Sequence, residues 1–206
     1  MNRTYAILLD GGFVTRKLRE RLEKFPTAAE VVEFCFQEII RHVALNSFSL
    51  LRIYFYDSPP SQDKLTNPIS RAPLELSQTD RFKEMTTLLN DLELQDNFAL
   101  RTGETAVHGW KLGRAALKNI GGQTRPLTGA DLVPNIEQKG VDLRIGLDIA
   151  RLALREMVGT LVVVTGDSDF IPAFKFARRE GVRVYLHHMG HSISRELKVH
   201  TDLILG

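Results

Sequence analysis

The chain has 206 residues, a formal net charge of +2 and 43% hydrophobic residues, which suits one domain able to bury a core without disulfides or structural metal. A single cysteine, Cys35, excludes an internal disulfide and a thiolate zinc site, and the small net charge excludes coating of nucleic acid by bulk electrostatics. Met1-Asn2-Arg3-Thr4 runs straight into a strand pattern without the regions of a secretory signal, and no apolar run approaches the ~20 residues that cross a bilayer. The expectation is a soluble protein of the reducing cytoplasm with no membrane partner; self-association into a homo-oligomer is left open.

In chain order, Tyr5 to Leu9 reads as a buried strand that ends at Asp10, followed by Gly11-Gly12. Ala29 to Leu45 reads as a helix carrying Val32, Phe36, Ile39 and Val43 on one face, and Leu51 to Tyr56 as a second strand. Ser58 to Gln78, with Pro59, Pro60, Pro68 and Pro73, reads as an irregular or inserted segment. A helix over Arg81 to Leu94 and a strand over Phe98 to Arg101 follow. From Arg101 to Arg125 the chain holds Arg101, Lys111, Arg114, Lys118 and Arg125 against one acid, Glu104, with His108 and Trp110 interleaved. Such a segment is either a solvated surface or a track for a polyanion. Residues 121–135, with Gly121, Gly122, Pro126, Gly129 and Pro134, form a second irregular stretch. The chain closes with a helix over Val141 to Met157, a strand over Leu161 to Val164, a helix over Phe170 to Glu180 and a strand over Val182 to Leu186. Continuously apolar strands alternating with helices predict a doubly wound, Rossmann-like α/β fold, with a mainly parallel sheet covered on both faces.

The acids carry the chemistry. Asp167 and Asp169 follow the apolar run Leu161-Val162-Val163-Val164, Asp10 closes the first strand, and Asp142 opens a helix. Ligands of open parallel sheets bind beyond the carboxyl ends of the strands, and carboxylates gathered there repel one another unless a cation neutralises them. Asp142 reaches that edge if Gln138 to Asp142 crosses the top of the sheet before the helix begins. Asp148 lies roughly 120° round the helix from Asp142 and is a supporting residue at best. Each acid alone has a bland explanation as a helix cap or turn residue; their convergence favours a hard-metal site.

Rival sites lack their marks: there is no G-x-G-x-x-G after the first strand, no phosphate-binding G-x-x-x-x-G-K-[ST] and no G-x-S-x-G elbow. The D-x-D spacing of Asp167 and Asp169 also suits a toprim-like enzyme, which would want Glu in place of Asp10. His187-His188-Met189-Gly190-His191 lacks the same-face helical pairing of a zinc enzyme and reads as a loop within reach of a substrate phosphate.

Lys139-Gly140-Val141-Asp142-Leu143-Arg144-Ile145-Gly146-Leu147-Asp148-Ile149 and Val163-Val164-Thr165-Gly166-Asp167-Ser168-Asp169-Phe170-Ile171-Pro172 closely resemble the NYN domain family, whose fold is similar to that of PIN nucleases. Leu9-Asp10-Gly11-Gly12, Gly190-His191 and Leu197 to Asp202 fit the same pattern. The resemblance implies a metal-dependent ribonuclease, with Asp10, Asp142, Asp167 and Asp169 as the acidic positions and Thr165 and Ser168 as the hydroxyls beside the metal. Many relatives place Asn or a similar residue just after the first Asp-Gly, where this chain has Gly12-Phe13. On this reading Mg²⁺ or Mn²⁺ sits among the four acids, Lys139 balances charge, and Trp110, Lys111 and Arg114 hold single-stranded RNA. The alternatives are a non-catalytic module that binds RNA or protein through the acidic cleft, or another metal-dependent phosphoesterase, such as a toprim-like nuclease or a phosphatase.

Overall fold

A computed structural model describes residues 3–120 and 125–206. The chain begins with β1 (Thr4–Asp10), α1 (Gly11–Leu22) and α2 (Ala28–Phe34), followed by a π-helical stretch over Cys35–Ile40 and a 3-10 turn over Val43–Leu45. Next come β2 (Ser49–Asp57), the short strands β3 (Lys64–Thr66) and β4 (Pro73–Glu75), α3 (Asp80–Glu93) and β5 (Phe98–Thr102). β6 (Glu104–Leu112), α4 (Arg114–Ile120) and β7 (Leu132–Lys139) precede α5 (Val141–Leu154), β8 (Thr160–Val164) and α6 (Ile171–Arg179). β9 (Arg183–His187), α7 (Arg195–Val199) and β10 (Leu203–Ile204) complete it.

The expected doubly wound α/β fold is present. Six strands pair in parallel in the order β10-β9-β8-β1-β2-β5. From β1 the chain winds outward through β2 to β5, then returns to β8 on the other side of β1 and winds through β9 to β10. The β1/β8 junction is therefore the point where strand order reverses. Alternation along each strand feeds two cores. Tyr5, Ile7, Leu9, Val162 and Val164 pack with Phe13, Val31, Leu88 and Leu92 from α1, α2 and α3. Ala6, Leu8, Leu161 and Val163 pack with Ile145, Ile149, Phe174 and Leu197 from α5, α6 and α7. Strands covered on both faces have no solvated side, which is why their sequences are apolar throughout.

Three expectations change. The helix over Ala29 to Leu45 is split, and its buried side chains are Val31, Phe34, Cys35, Ile39 and Leu45, while Phe36 and Val43 face solvent. A π-helical turn takes up an extra residue, which rotates the buried face away from one set by 3.6-residue spacing. The segment from Ser58 to Gln78 contains the antiparallel β3–β4 ribbon. Its turn is held by Asn67, whose Oδ1 accepts the N–H groups of Ile69 and Ser70 at 3.0 Å each and whose Nδ2 donates to the Gly129 carbonyl at 3.0 Å. In the second irregular stretch, residues 121–124 lie outside the described residues, and β7 begins at Leu132, inside the range expected to be a loop. β6 and β7 form an antiparallel hairpin apart from the main sheet. Among the described residues, no helix is long and apolar enough to cross a membrane.

Helix α1 starts immediately where β1 ends. A Cβ on Gly11 would lie 2.5 Å from the Tyr56 carbonyl oxygen and 2.8 Å from Asp57 Oδ2, so only glycine lets the chain turn against β2. Gly11→Ala forces backbone to move and is expected to cost ~1–3 kcal/mol, a fall of roughly 2–10 °C in melting temperature for a chain of this size. A calorimetric scan showing an unchanged midpoint would refute the close packing of this turn.

Candidate functional site

The register that pairs Leu9 with Val164 sets Asp10 beside Thr165 at the carboxyl end of two adjacent strands. Thr165, wholly buried, donates its hydroxyl to Asp10 Oδ2 at 3.1 Å and accepts the Asp167 N–H at 3.1 Å. Asp10 Oδ1 caps α1 by accepting the Phe13 N–H at 3.1 Å. Asp167 in turn accepts the Asp169 N–H at 2.9 Å and caps the short turn Ser168–Phe170. One threonine thus ties the first acid to the loop that carries the next two. Ser168 Oγ lies 3.0 Å from Ser194 Oγ, fastening that loop to the start of α7.

Asp142 arrives from a different direction. β7 ends at Lys139, Gly140 takes a left-handed conformation at φ 75°, and α5 begins at Val141 with Asp142 in its first turn. The crossing that the sequence required of Gln138 to Asp142 is made by the end of the hairpin. Asp10 and Asp142 are both held above the usual carboxylate range. Burial is the largest cause for each; the charges of Asp142 and Asp167 add to it at Asp10, and those of Asp167 and Asp169 at Asp142. Asp10 and Asp142 thus each lie within the electrostatic reach of two other acids of this edge.

Their donor chemistry, carboxylate oxygen beside hydroxyls, fits a hard divalent ion. Among the described residues, however, no three His, Cys, Asp or Glu side chains are drawn close enough to hold an ion as they stand. Asp167 and Asp169 extend into solvent, Asp142 is exposed at its tip but partly desolvated by its surroundings, and Asp10 is fixed by its hydrogen bonds.

The other expected residues are distributed unevenly. Lys139 stands at the cleft end of β7, opposite Glu104. Trp110 and Lys111 pair with Pro134 and Val133 toward the far end of the hairpin, about 20 Å along the strand from Glu104, and Arg114 opens α4 beyond them. These three are not brought to the acids. Asp148 Oδ2 accepts the Tyr56 hydroxyl at 2.9 Å and Arg101 Nε at 3.0 Å. It buttresses α5 against the sheet, and it removes Arg101 from the free basic segment.

Sequence reasoning missed Arg16. With Asp10, Gly12, Phe13, Gly166, Asp167 and His191 it lines a cavity of about 420 Å³. Arg16 stacks over the Phe13 ring at 5.6 Å, and His191 meets that ring edge-on at 5.7 Å. A signal was available for Arg16, one helical turn beyond Gly12 in a helix that starts at the acid, but only once α1 is recognised. His187, from the same histidine cluster, is buried and pushed down to about 4 by burial and nearby cations. It accepts the Met189 N–H on Nδ1 and is a neutral core residue.

The family model of the NYN domain matches residues 102–204 of this chain. The chain belongs to the NYN domain family. The matched half contains Asp142, Asp167 and Asp169, and Asp10 joins them through the β1/β8 pairing. The NYN domain brings a nuclease-like, ribonuclease fold. No curated protein matches the chain. Among solved structures, a protein of unknown function from Vibrio parahaemolyticus superposes with a TM-score of 0.52 at 16% identity, covering 99% of this chain and 92% of that one. At that identity the likeness is one of fold.

A fifth acid lies beneath the NYN cleft. Asp57, at the end of β2, is 1% exposed; its Oδ1 accepts from the Ser58 N–H and from Gln138 Nε2, and its Oδ2 has no partner. Burial pushes its carboxyl up to about 6 from an ordinary 3.8. The folded protein thus holds this proton more tightly than the unfolded chain does. Its contribution to stability is greatest below pH ~4 and falls as the pH rises to ~6, by ~3 kcal/mol at most. Asp57→Asn keeps an acceptor for Ser58 or Gln138 and removes the charge, so it is expected to raise stability at pH 7 and to flatten the decline between pH 4 and 6. Urea unfolding of both proteins across that window measures the difference; parallel curves would show that Asp57 does not titrate there.

Proposed function

We propose that this NYN domain is a divalent-metal-dependent ribonuclease that cuts single-stranded RNA internally. The supporting observation is that Asp10, Asp142, Asp167 and Asp169, from separate parts of the chain, converge electrostatically where strand order reverses. In this reading these four acids hold Mg²⁺ or Mn²⁺. When bound, such an ion activates water and offsets charge at a phosphodiester. Thr165 fixes the Asp10 carboxylate and the entry to the Asp167 loop, so that acid keeps its place while the exposed ones turn inward. Ser168 Oγ and Lys139 meet the substrate's oxygens, and Arg16 and His191 supply donors on the opposite wall of the cavity. The hairpin carries Trp110 and Lys111, with Arg114 just beyond, as an outer track where a base stacks and phosphates are held. The single cysteine, Cys35, buried and reduced, accords with a cytoplasmic setting.

The spread of the acids favours a second reading, a module that binds RNA or a protein in the cleft without cleaving. Labelled single-stranded RNA, duplex RNA and DNA, incubated with Mg²⁺, Mn²⁺ or EDTA, separate the two. Cleavage is expected on single-stranded RNA alone, lost in EDTA and reduced on the order of 10²–10³-fold in Asp167→Asn. Tight RNA binding without metal-dependent cleavage would establish the binding module instead.

The outer track predicts a different phenotype. Lys111→Ala with Arg114→Ala is expected to raise KM while leaving kcat near that of the parent. Loss of two phosphate contacts should also lower the slope of log affinity against log salt by about 1.4 for a single strand. An unchanged slope would remove these residues from the substrate path.

A further inference from the structure

A cavity of about 520 Å³ lies at the other end of the molecule, where α6 ends and β9 begins. It is lined by Lys175, Arg178 and Arg179 of α6, by Arg183 at the start of β9, and by His200 and Asp202 after α7. Asp202 is its single acid and is fully engaged. Its Oδ1 accepts Arg178 Nε at 3.0 Å and its Oδ2 accepts the Val184 N–H at 2.8 Å. Lys175 faces Glu196 at 3.7 Å. Among the described residues, the side chains of Arg179, Arg183 and His200 have no hydrogen-bonding or ionic partner. A helix C-terminus attracts a cation or two in its last turn, and Arg178, which also donates to the Val199 carbonyl at 3.2 Å, meets that need. The remaining cations converge on open space with nothing to neutralise them.

We propose that this groove is a second anchoring site for the phosphate backbone of a single-stranded RNA whose scissile region lies in the acidic cleft. The proposal rests on the ribonuclease reading of that cleft. The two sites are joined by one element: Asp167, Ser168 and Asp169 open the turn that leads into α6, and Arg178 and Arg179 close the helix. Its nine residues span about 14 Å, or about four nucleotides of a stacked strand at ~3.4 Å each. A strand held in the cleft must therefore extend at least that far along the α6 side before it reaches Arg179 and Arg183. An oligonucleotide shorter than this engages the cleft alone. Repulsion between phosphates and the acids leaves the cleft a poor place to gain affinity, so a distant basic groove is where a long substrate gains its grip.

The test compares Arg179→Ala/Arg183→Ala with its parent, both carrying Asp167→Asn to prevent turnover, by fluorescence anisotropy on oligouridylates of about four and about twelve nucleotides. The double variant is expected to bind the longer strand about tenfold more weakly at ~50 mM salt, with a salt slope lower by about 1.4, and to bind the shorter strand as the parent does. Unchanged affinity for the longer strand overturns the proposal, and so does an equal loss on both lengths, which would place these arginines at the cleft. Loss of binding to phosphatidylserine vesicles with RNA affinity intact assigns the groove to a lipid surface and also overturns it. Cleavage by the Asp167-containing protein distinguishes this failure from failure of the ribonuclease reading. Normal cleavage with no effect of the double variant removes the groove alone; variant-sensitive binding of the long strand without cleavage in any metal removes the ribonuclease alone.

Discussion

Parallel pairing of β1 with β8 is the constraint on which the site depends. These strands are distant in sequence, and their register sets Asp10 and Thr165 side by side with no freedom left. The Thr165 hydroxyl then does two things at once, donating to one acid and accepting from the backbone of the next. A buried hydroxyl that is satisfied on both sides is stiff, because losing either partner would leave a polar atom unpaired in the core. The loop from Gly166 to Asp169 inherits that stiffness, and the Asp167 carboxylate extends it by accepting the Asp169 N–H.

Charge is distributed along the strands as two opposed ends. The carboxyl edge gathers Asp10, Asp142, Asp167 and Asp169, and the amino edge of β9 gathers Arg178, Arg179 and Arg183. Helix α6 runs between them with its positive end toward the acids and its negative end toward the arginines, so its dipole favours both clusters. The dipole lowers the cost of gathering four acids at one edge. The remaining cost appears as the raised pKa values of Asp10 and Asp142, and as Asp57, whose unpartnered oxygen sits below them. Neutralising any of these acids therefore favours the fold, since each is kept charged only against its surroundings.

Five strands of the main sheet were legible because burial leaves a largely apolar run, a signal that survives without knowledge of partners; the two-residue edge strand β10 is too short to give one. Helix α1 was not, because Asp10-Gly11-Gly12 reads locally as a turn. Glycine is needed there by the approach of Tyr56 and Asp57, and neither contact is visible along the chain. The buried face of α2 was misread for a related reason: the π-helical turn at Cys35–Ile40 changes the period on which the reading relied. The β6–β7 hairpin hid behind its half-exposed faces, where Pro134 and Asn135 look like loop residues yet lie in a strand with only one paired edge, a place where proline is tolerated. That the four acids lie at one edge of the sheet was legible from their positions after strands and at a helix start. The roles of Asp148 and Arg101 were not, since both are set by a contact made across 47 residues.

The hairpin also explains how Asp142 joins a site that its own helix would otherwise avoid. α5 leads into the amino end of β8, so its first turn belongs at the carboxyl edge only if the preceding chain is already there. β5 ends at that edge, Gly103 donates its N–H to the Asp57 carbonyl at 2.8 Å, and the chain continues outward as β6 before β7 brings it back. Gln138 then binds Asp57, which fixes where the returning strand stops. Gly140, at φ 75°, supplies the left-handed residue that turns the strand into the helix at little steric cost. Asp57 thus carries a structural burden that its unfavourable burial would not suggest: it receives both the start and the end of the excursion. The fourth acid of the cleft is positioned by a carboxylate that is not one of the four.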